Sequence, residues 1–307
     1  MARVVLVHGI GQQNSTAAEQ IDYWLPSLVK GVLRSGHPRA DAVAASLSAT
    51  AFSQADLAMA FYGDLYLAPG QMGGSAAIDP DTEAVSDALA VALLQTAVAR
   101  GDARLAREAA VILAQADQSQ EGVQGKGAVA RNVMGRLDGN AWLAARIFGL
   151  AQHARADLDQ VALYLTKDAL RARMQARVLE LIDEGTLLLV AHSLGSVIAW
   201  EACRSLEQSL PMLLTIGSPL GLDTIIYPRL RPAPPVFPAA VHRWVNIAHP
   251  DDIIAVEPRL AKLFPSNDNR KVEDGNPKSS REHHAAETYL EEPETGSAIA
   301  DALSWRP

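Results

Sequence analysis

Ser193 stands in the pentapeptide Ala191-His192-Ser193-Leu194-Gly195, after the apolar run Thr186 to Ala191 and before a helix-like stretch from Ser196 to Glu207. This is the form of a nucleophile elbow, G-x-S-x-G, with alanine in place of the first glycine. The turn from strand to helix is tight, so the residues two before and two after the serine must be small. It lifts the hydroxyl above the sheet and aims the free N–H groups of the helix at the reacting centre. The Leu194 amide would then donate to a developing oxyanion. A second donor is expected at Ile10, within His8-Gly9-Ile10-Gly11, where glycines let the backbone approach a substrate closely. The bland alternatives are a serine that caps a helix and a glycine turn that merely ends a strand.

A serine hydroxyl is a poor nucleophile at neutral pH and needs a base, itself oriented by a carboxylate. The partners are expected downstream, in the order serine, acid, histidine. The histidines there are His242, His249, His283 and His284, and the acids near a strand end are Asp251 and Asp252. His249 competes as a base but reads as part of its turn. His8 and His192 read as structural or pocket-lining positions. A solvated loop is the alternative for His283-His284, beside the charged Arg281 and Glu282. No spacing of histidine, cysteine and carboxylate suggests a metal site, and no glycine pattern suggests a phosphate or dinucleotide. Neither metal nor cofactor is expected.

Five segments carry a family resemblance: VVLVHGIG, LLLVAHSLGS, TIGSPLG, RWVNIAHPDDIIA and HHAAETYL. The chain resembles the α/β-hydrolase superfamily, most of all bacterial serine esterase-like proteins and, more distantly, lipase and inositol-deacylase relatives. The resemblance covers the sheet core but not the stretch from about Pro80 to Glu184. It implies Asp252 as the acid, followed by Ile253-Ile254-Ala255, with Asp251 as the alternative. It implies His284 as the base, five residues before a Tyr289-Leu290 pair that opens the last helix, with His283 as the alternative. The implied activity is carboxylic ester hydrolysis through an acyl-enzyme, on a small-molecule or lipid-like acyl substrate. Thioester or amide hydrolysis would use the same groups. A non-catalytic binding protein on the same fold is the rival reading.

These groups need a sheet to hold them. Val4 to Val7 is a continuous apolar run closed by glycines, as in a strand buried on both faces. Further strands are expected over Asp56 to Tyr62, Thr186 to Ala191, Met212 to Ile216, His242 to Ala248 and Arg270 to Glu273. Helices are expected over Asp22 to Leu33 and at the end of the chain. Between Pro80 and Glu184, strong helix formers dominate. Helices are read over Thr82–Ala99, Ala103–Ala116, Ala141–Ala151 and Asp157–Asp183, with a flexible break at Gly122 to Gly127. The prolines of Arg231 to Ala240 exclude regular structure there. The expected fold is α/β: one α/β-hydrolase domain over 1–307, with a mostly parallel sheet, helices on both faces, and a helical insertion over 80–184 before the nucleophile strand. That block reads equally as a lid, as plain helix packing, or as a partner-docking or oligomer surface. Its basic run Lys167, Arg171, Arg173, Arg177 reads as a solvated face.

Composition supports a globular chain: 307 residues, 49% apolar and 20% charged. The net charge of −8 and pI near 5.5 argue against nucleic-acid binding. The single cysteine, Cys203, excludes an intramolecular disulfide. No signal peptide is visible, and the longest apolar run, Ala88 to Val98, falls short of the ~20 residues of a membrane span. The chain reads as cytoplasmic.

Overall fold

The computed structural model describes residues 2–49, 56–67, 78–118, 126–148, 154–277 and 284–304. Six strands form one all-parallel sheet: β1 (Val4–Val7), β2 (Leu57–Met59), β3 (Leu188–His192), β4 (Leu210–Ile216), β5 (Val241–Ile247) and β6 (Glu273–Gly275), in the spatial order β2-β1-β3-β4-β5-β6. This is an α/β fold, as expected, with no antiparallel strand among the described residues.

Alternation along each strand divides the core in two. Val4, Leu6, Leu188, Val190, Leu214 and Ile216 point to one face, where they meet α1 (Ala17–Arg34), α2 (Ala40–Ser48), α10 (Ala286–Leu290) and α11 (Pro293–Leu303). Val5, Val7, Leu189, Ala191 and Leu213 point to the other. There they join the core of α3 (Pro80–Arg100), α4 (Ala103–Gln118), α5 (Lys126–Asp138), α6 (Ala141–Phe148), α7 (Ala154–Thr166), α8 (Asp168–Leu179) and α9 (Leu194–Cys203). With helices on both faces, the inner strands are buried throughout, which is why they read as unbroken apolar runs.

The elements depart from the sequence reading in instructive places. Helix α1 begins five residues before Asp22, because Thr16 and Glu19 form a capping box. The Thr16 Oγ1 accepts from the Glu19 amide at 3.2 Å, and the Glu19 carboxylate accepts from the Thr16 amide at 2.9 Å. The stretch Asp157 to Asp183 is two helices, α7 and α8, broken at Lys167, which leaves helical geometry (φ −106°, ψ 97°). Helices α2 and α5 were not expected. Residues 122–125 and 149–151 lie outside the described residues. Tyr289-Leu290 closes the short α10 and does not open the last helix.

The basic run from Lys167 to Arg177 is solvated at Arg173 and Arg177 and half-exposed at Lys167, but it is not solvated at Arg171. Arg171 is buried and grips the buried Glu201 of α9 with two nitrogens, one at 2.7 Å. Glu201 also accepts from Tyr164 (2.5 Å), Gln175 (2.7 Å) and the Arg231 amide (2.8 Å). Lys167 pairs with Asp79, and Arg177 with Asp64 at 2.9 Å. Helix α3 reaches 21 residues and is long and apolar enough to cross a membrane by length and composition, beyond the Ala88 to Val98 run. Here it is a core helix packed on α4, α5 and α7.

The Arg171–Glu201 pair fastens α8, and with it the helices before β3, to the helix that follows Ser193. Removing one partner of a buried pair strands the other charge, at a cost of about 3–5 kcal/mol. Arg171→Met is therefore expected to lower unfolding free energy by about that amount in urea titration. Arg173→Met, at an exposed position on the same helix, is expected to change it by less than about 0.5 kcal/mol.

Candidate active site

In a parallel sheet, ligands bind outside the carboxyl ends of the strands, where the connections leave in opposite directions. Here that point lies between β1 and β3. From β1 the chain moves outward to β2, then returns across to β3 and continues the other way. The β1–β3 register pairs Val7 with Ala191, so His8-Gly9 and His192-Ser193 emerge side by side. Ser193 turns the chain from β3 into α9 with φ +51° and ψ −129°. A non-glycine residue there stores about 1–3 kcal/mol of strain. Gly195 is required by close approach, since a Cβ would collide with the carbonyl oxygens of His8 and Val7.

The structure brings Ser193, His284 and Asp252 into one hydrogen-bonded line. His284 Nε2 lies 3.0 Å from Ser193 Oγ, and its Nδ1 lies 2.9 Å from Asp252 Oδ2. With Nδ1 protonated and donating to the carboxylate, Nε2 is left to accept the serine proton. Asp252 is buried, at 1% exposure. Its Oδ1 accepts from the Ile254 amide at 2.8 Å, and its Oδ2 accepts from Tyr289 Oη at 2.7 Å. Burial alone would push this carboxyl up. The facing His284 and the donors from His284, Tyr289 and Ile254 outweigh it and hold the group below its ordinary value.

The alternatives separate on geometry. Asp251 is exposed, and its amide donates to His249 Nδ1 at 3.1 Å. His249 is buried in that turn, with its own amide donating to Tyr289 Oη at 2.9 Å. His242 faces Ser209 at the far side of β5. His283 lies outside the described residues.

Tyr289, Tyr62 and Gln160 escape sequence reasoning as positioning groups, whereas His8 and His192 read there as structural or pocket-lining positions. Tyr289 joins Asp252 to the β5 turn through its hydroxyl. His192 Nε2 donates to the His284 carbonyl at 2.8 Å. Tyr62 donates its hydroxyl to the carbonyls of His8 (2.7 Å) and Gly9 (3.0 Å), and its amide donates to His8 Nε2 at 3.1 Å. His8 Nδ1 donates to the Gly9 carbonyl at 2.6 Å. Gln160 of α7 accepts from the Gly11 amide at 3.0 Å. The loop carrying Ile10 is thus pinned at His8, Gly9 and Gly11. Only a capping box or motif residue announces itself in sequence. A tyrosine or glutamine whose partner is tens of residues away carries no local signal.

Among the described residues, no group of three or more histidines, cysteines and carboxylates is arranged to hold a metal ion. The sequence matches no family model, and no curated protein or solved structure gives a significant match.

Burial lowers two of the site's histidines. It brings His8 to about 4, against the Gly9 hydrogen bond. It brings His192 to about 3, helped by the neighbouring His284. Both are neutral in the folded protein near neutral pH, while the unfolded chain protonates them near ~6.5. Between these values the unfolded state binds more protons, so stability falls as pH drops from 6.5 toward 4, by about 1.4 kcal/mol per pH unit for each fully offset group. Urea unfolding at pH 5 is expected to give a free energy at least about 2 kcal/mol below that at pH 7.5. His8→Gln should flatten that profile. An equal slope in the variant would show that His8 is not the source.

Proposed function

We propose that the chain is a serine hydrolase of the α/β-hydrolase type that cleaves carboxylic esters. The observation that carries this reading is the Ser193–His284–Asp252 line, at 3.0 and 2.9 Å, at the carboxyl end of a central parallel strand. In this reading His284 Nε2 takes the Ser193 proton as Oγ attacks the acyl carbon. Asp252 holds the imidazole in the required tautomer and stabilises the imidazolium that forms.

The oxyanion is assigned to the amides of Leu194 and Ile10. Leu194 is the first residue of α9, so its N–H belongs to the helix's unpaired first turn, where the dipole also favours negative charge. Ile10 lies beside Ser193 at the edge of the same cavity, on the loop pinned by Tyr62 and Gln160. Collapse of the tetrahedral intermediate returns the proton from His284 to the leaving alkoxide, breaks the acyl C–O bond and leaves the acyl group on Ser193. Water, deprotonated by His284, then adds to that acyl carbon. Collapse breaks the acyl–Oγ bond, returns the proton from His284 to Ser193 Oγ and releases the acid. Neither metal nor cofactor enters the scheme.

The test is labelling with a fluorophosphonate, with the adduct located by peptide mass spectrometry. Ser193 is expected to carry the adduct, and Ser193→Ala to carry none. Absence of the adduct on folded protein would sink the reading. Asp252→Asn, which offers His284 the wrong tautomer, is expected to lower kcat on 4-nitrophenyl acetate by about 10⁴-fold. Asp251→Asn is expected to stay within a few-fold of wild type.

A further inference from the structure

Two cavities of different size and lining meet at the reacting centre. The first is a small apolar slot of about 50 Å³, walled by Leu89 and Leu93 of α3, Leu158 and Val161 of α7, and Leu222 and Ile226 beyond β4. The second is a larger cleft of about 530 Å³, of mixed polar and apolar lining, on the α1 side of the same centre. Gln12, Ser15, Glu19, Gln20, Tyr23 and Glu287 line it. Ile10, Ser193 and His284 border both. An ester bound at Ser193 can therefore send one arm into each.

Size decides which arm goes where. A water needs about 10–15 Å³ of such space, so the slot holds about four waters, the room of a short acyl chain only. The cleft falls in the range of sites for drug-sized ligands, roughly 300–1,000 Å³. Its chemistry suits hydroxyl groups. Gln20 Nε2 donates to Gln12 Oε1 at 2.7 Å and to Ser15 Oγ at 3.0 Å, which fixes a row of amide and hydroxyl groups along one wall. Tyr23 is 56% exposed and offers an aromatic face. The described lining carries two carboxylates, Glu19 and Glu287, and neither lysine nor arginine. His8 and His192, which also line it, are held neutral by burial. Among the described lining residues, an anionic leaving group would meet like charge and neither lysine nor arginine to pair it.

We propose that the substrate is a short-chain acyl ester of a neutral, polyhydroxylated alcohol, with the acyl group in the α3–α7 slot and the alcohol in the α1 cleft. This deepens the hydrolase reading and rests on it. Chemically, the Ser193 Oγ–acyl bond forms and the acyl–alcohol bond breaks. The alcohol oxygen takes the proton from His284 Nε2 and leaves through the α1 cleft as a neutral polyol. The slot then contains only the short acyl group until water removes it. The narrow slot argues against the long-chain, lipid-like substrates that the sequence resemblance admits.

The experiment measures kcat/KM on two ester series with the wild-type chain at low salt. The acyl series is 4-nitrophenyl acetate, butyrate and octanoate. The alcohol series is monobutyrylglycerol against the butyryl ester of glycerol 3-phosphate. Acetate and butyrate are expected to exceed octanoate at least tenfold, and the glycerol ester to exceed the phosphate ester at least fivefold. Leu93→Ala, or Leu222→Ala should the first fail to fold, is expected to move the optimum toward octanoate. Glu287→Lys is expected to narrow the glycerol-to-phosphate ratio. Octanoate turned over as well as butyrate, or the phosphate ester as well as the glycerol ester, would overturn the assignment while Ser193 still labels with fluorophosphonate. No turnover together with no labelling would instead remove the hydrolase reading itself.

Discussion

The crossing of α9 over the end of β1 is the constraint on which the site depends. Gly195 lies against the carbonyl oxygens of Val7 and His8, where no larger residue fits. That contact sets how far β3 can run before it turns, and it places the turn at Ser193 in a positive-φ conformation. The strain is offset by surroundings that leave the chain no other path. β3 is buried and paired on both sides, and α9 is buried along its length. Loosening of this crossing would move Ser193 and the Ile10 loop apart together, because each forms one side of it.

Around the crossing, the remaining groups are held by side chains outside the Ser193–His284–Asp252 line. Tyr289, on the short α10, reaches Asp252 and the His249 amide with one hydroxyl. Tyr62, after β2, fixes the His8-Gly9 carbonyls. His192 fixes the backbone of His284, the residue that faces its neighbour Ser193. His284 is thus held at both its ring and its backbone. Order of this kind lowers the cost of reaching a reactive arrangement, since little conformational freedom remains to be lost.

The helices between β2 and β3 contribute to the site in two ways. Gln160 of α7 holds the Gly11 amide, and Leu89, Leu93, Leu158 and Val161 wall the apolar slot. Arg171 of α8 ties the same set of helices to α9 through Glu201. A buried ionic contact adds little net stability, because desolvation of both charges offsets most of the attraction. What it supplies here is a defined seat for α8 against the helix that starts at Ser193.

Sequence alone determined whatever has a local physical signature. The buried strands were legible as apolar runs, because burial on both faces removes the usual alternation. The elbow was legible because a tight strand-to-helix turn demands small residues at fixed offsets from Ser193. The Thr16–Glu19 capping box carries a local signature too, and it starts α1 five residues before the expected Asp22. Periodicity located α3 and α4 but missed the break at Lys167, where propensity favours helix and only packing of α8 on α9 requires a turn. The choice between Asp251 and Asp252 rested on resemblance until tertiary structure buried one beside His284 and left the other in solvent. Tertiary structure alone decided that Arg171 is a buried anchor, that Tyr62 and Tyr289 position the site, and that two unlike cavities meet at Ser193. These depend on contacts between residues far apart in the chain, and no local pattern encodes a distance in space.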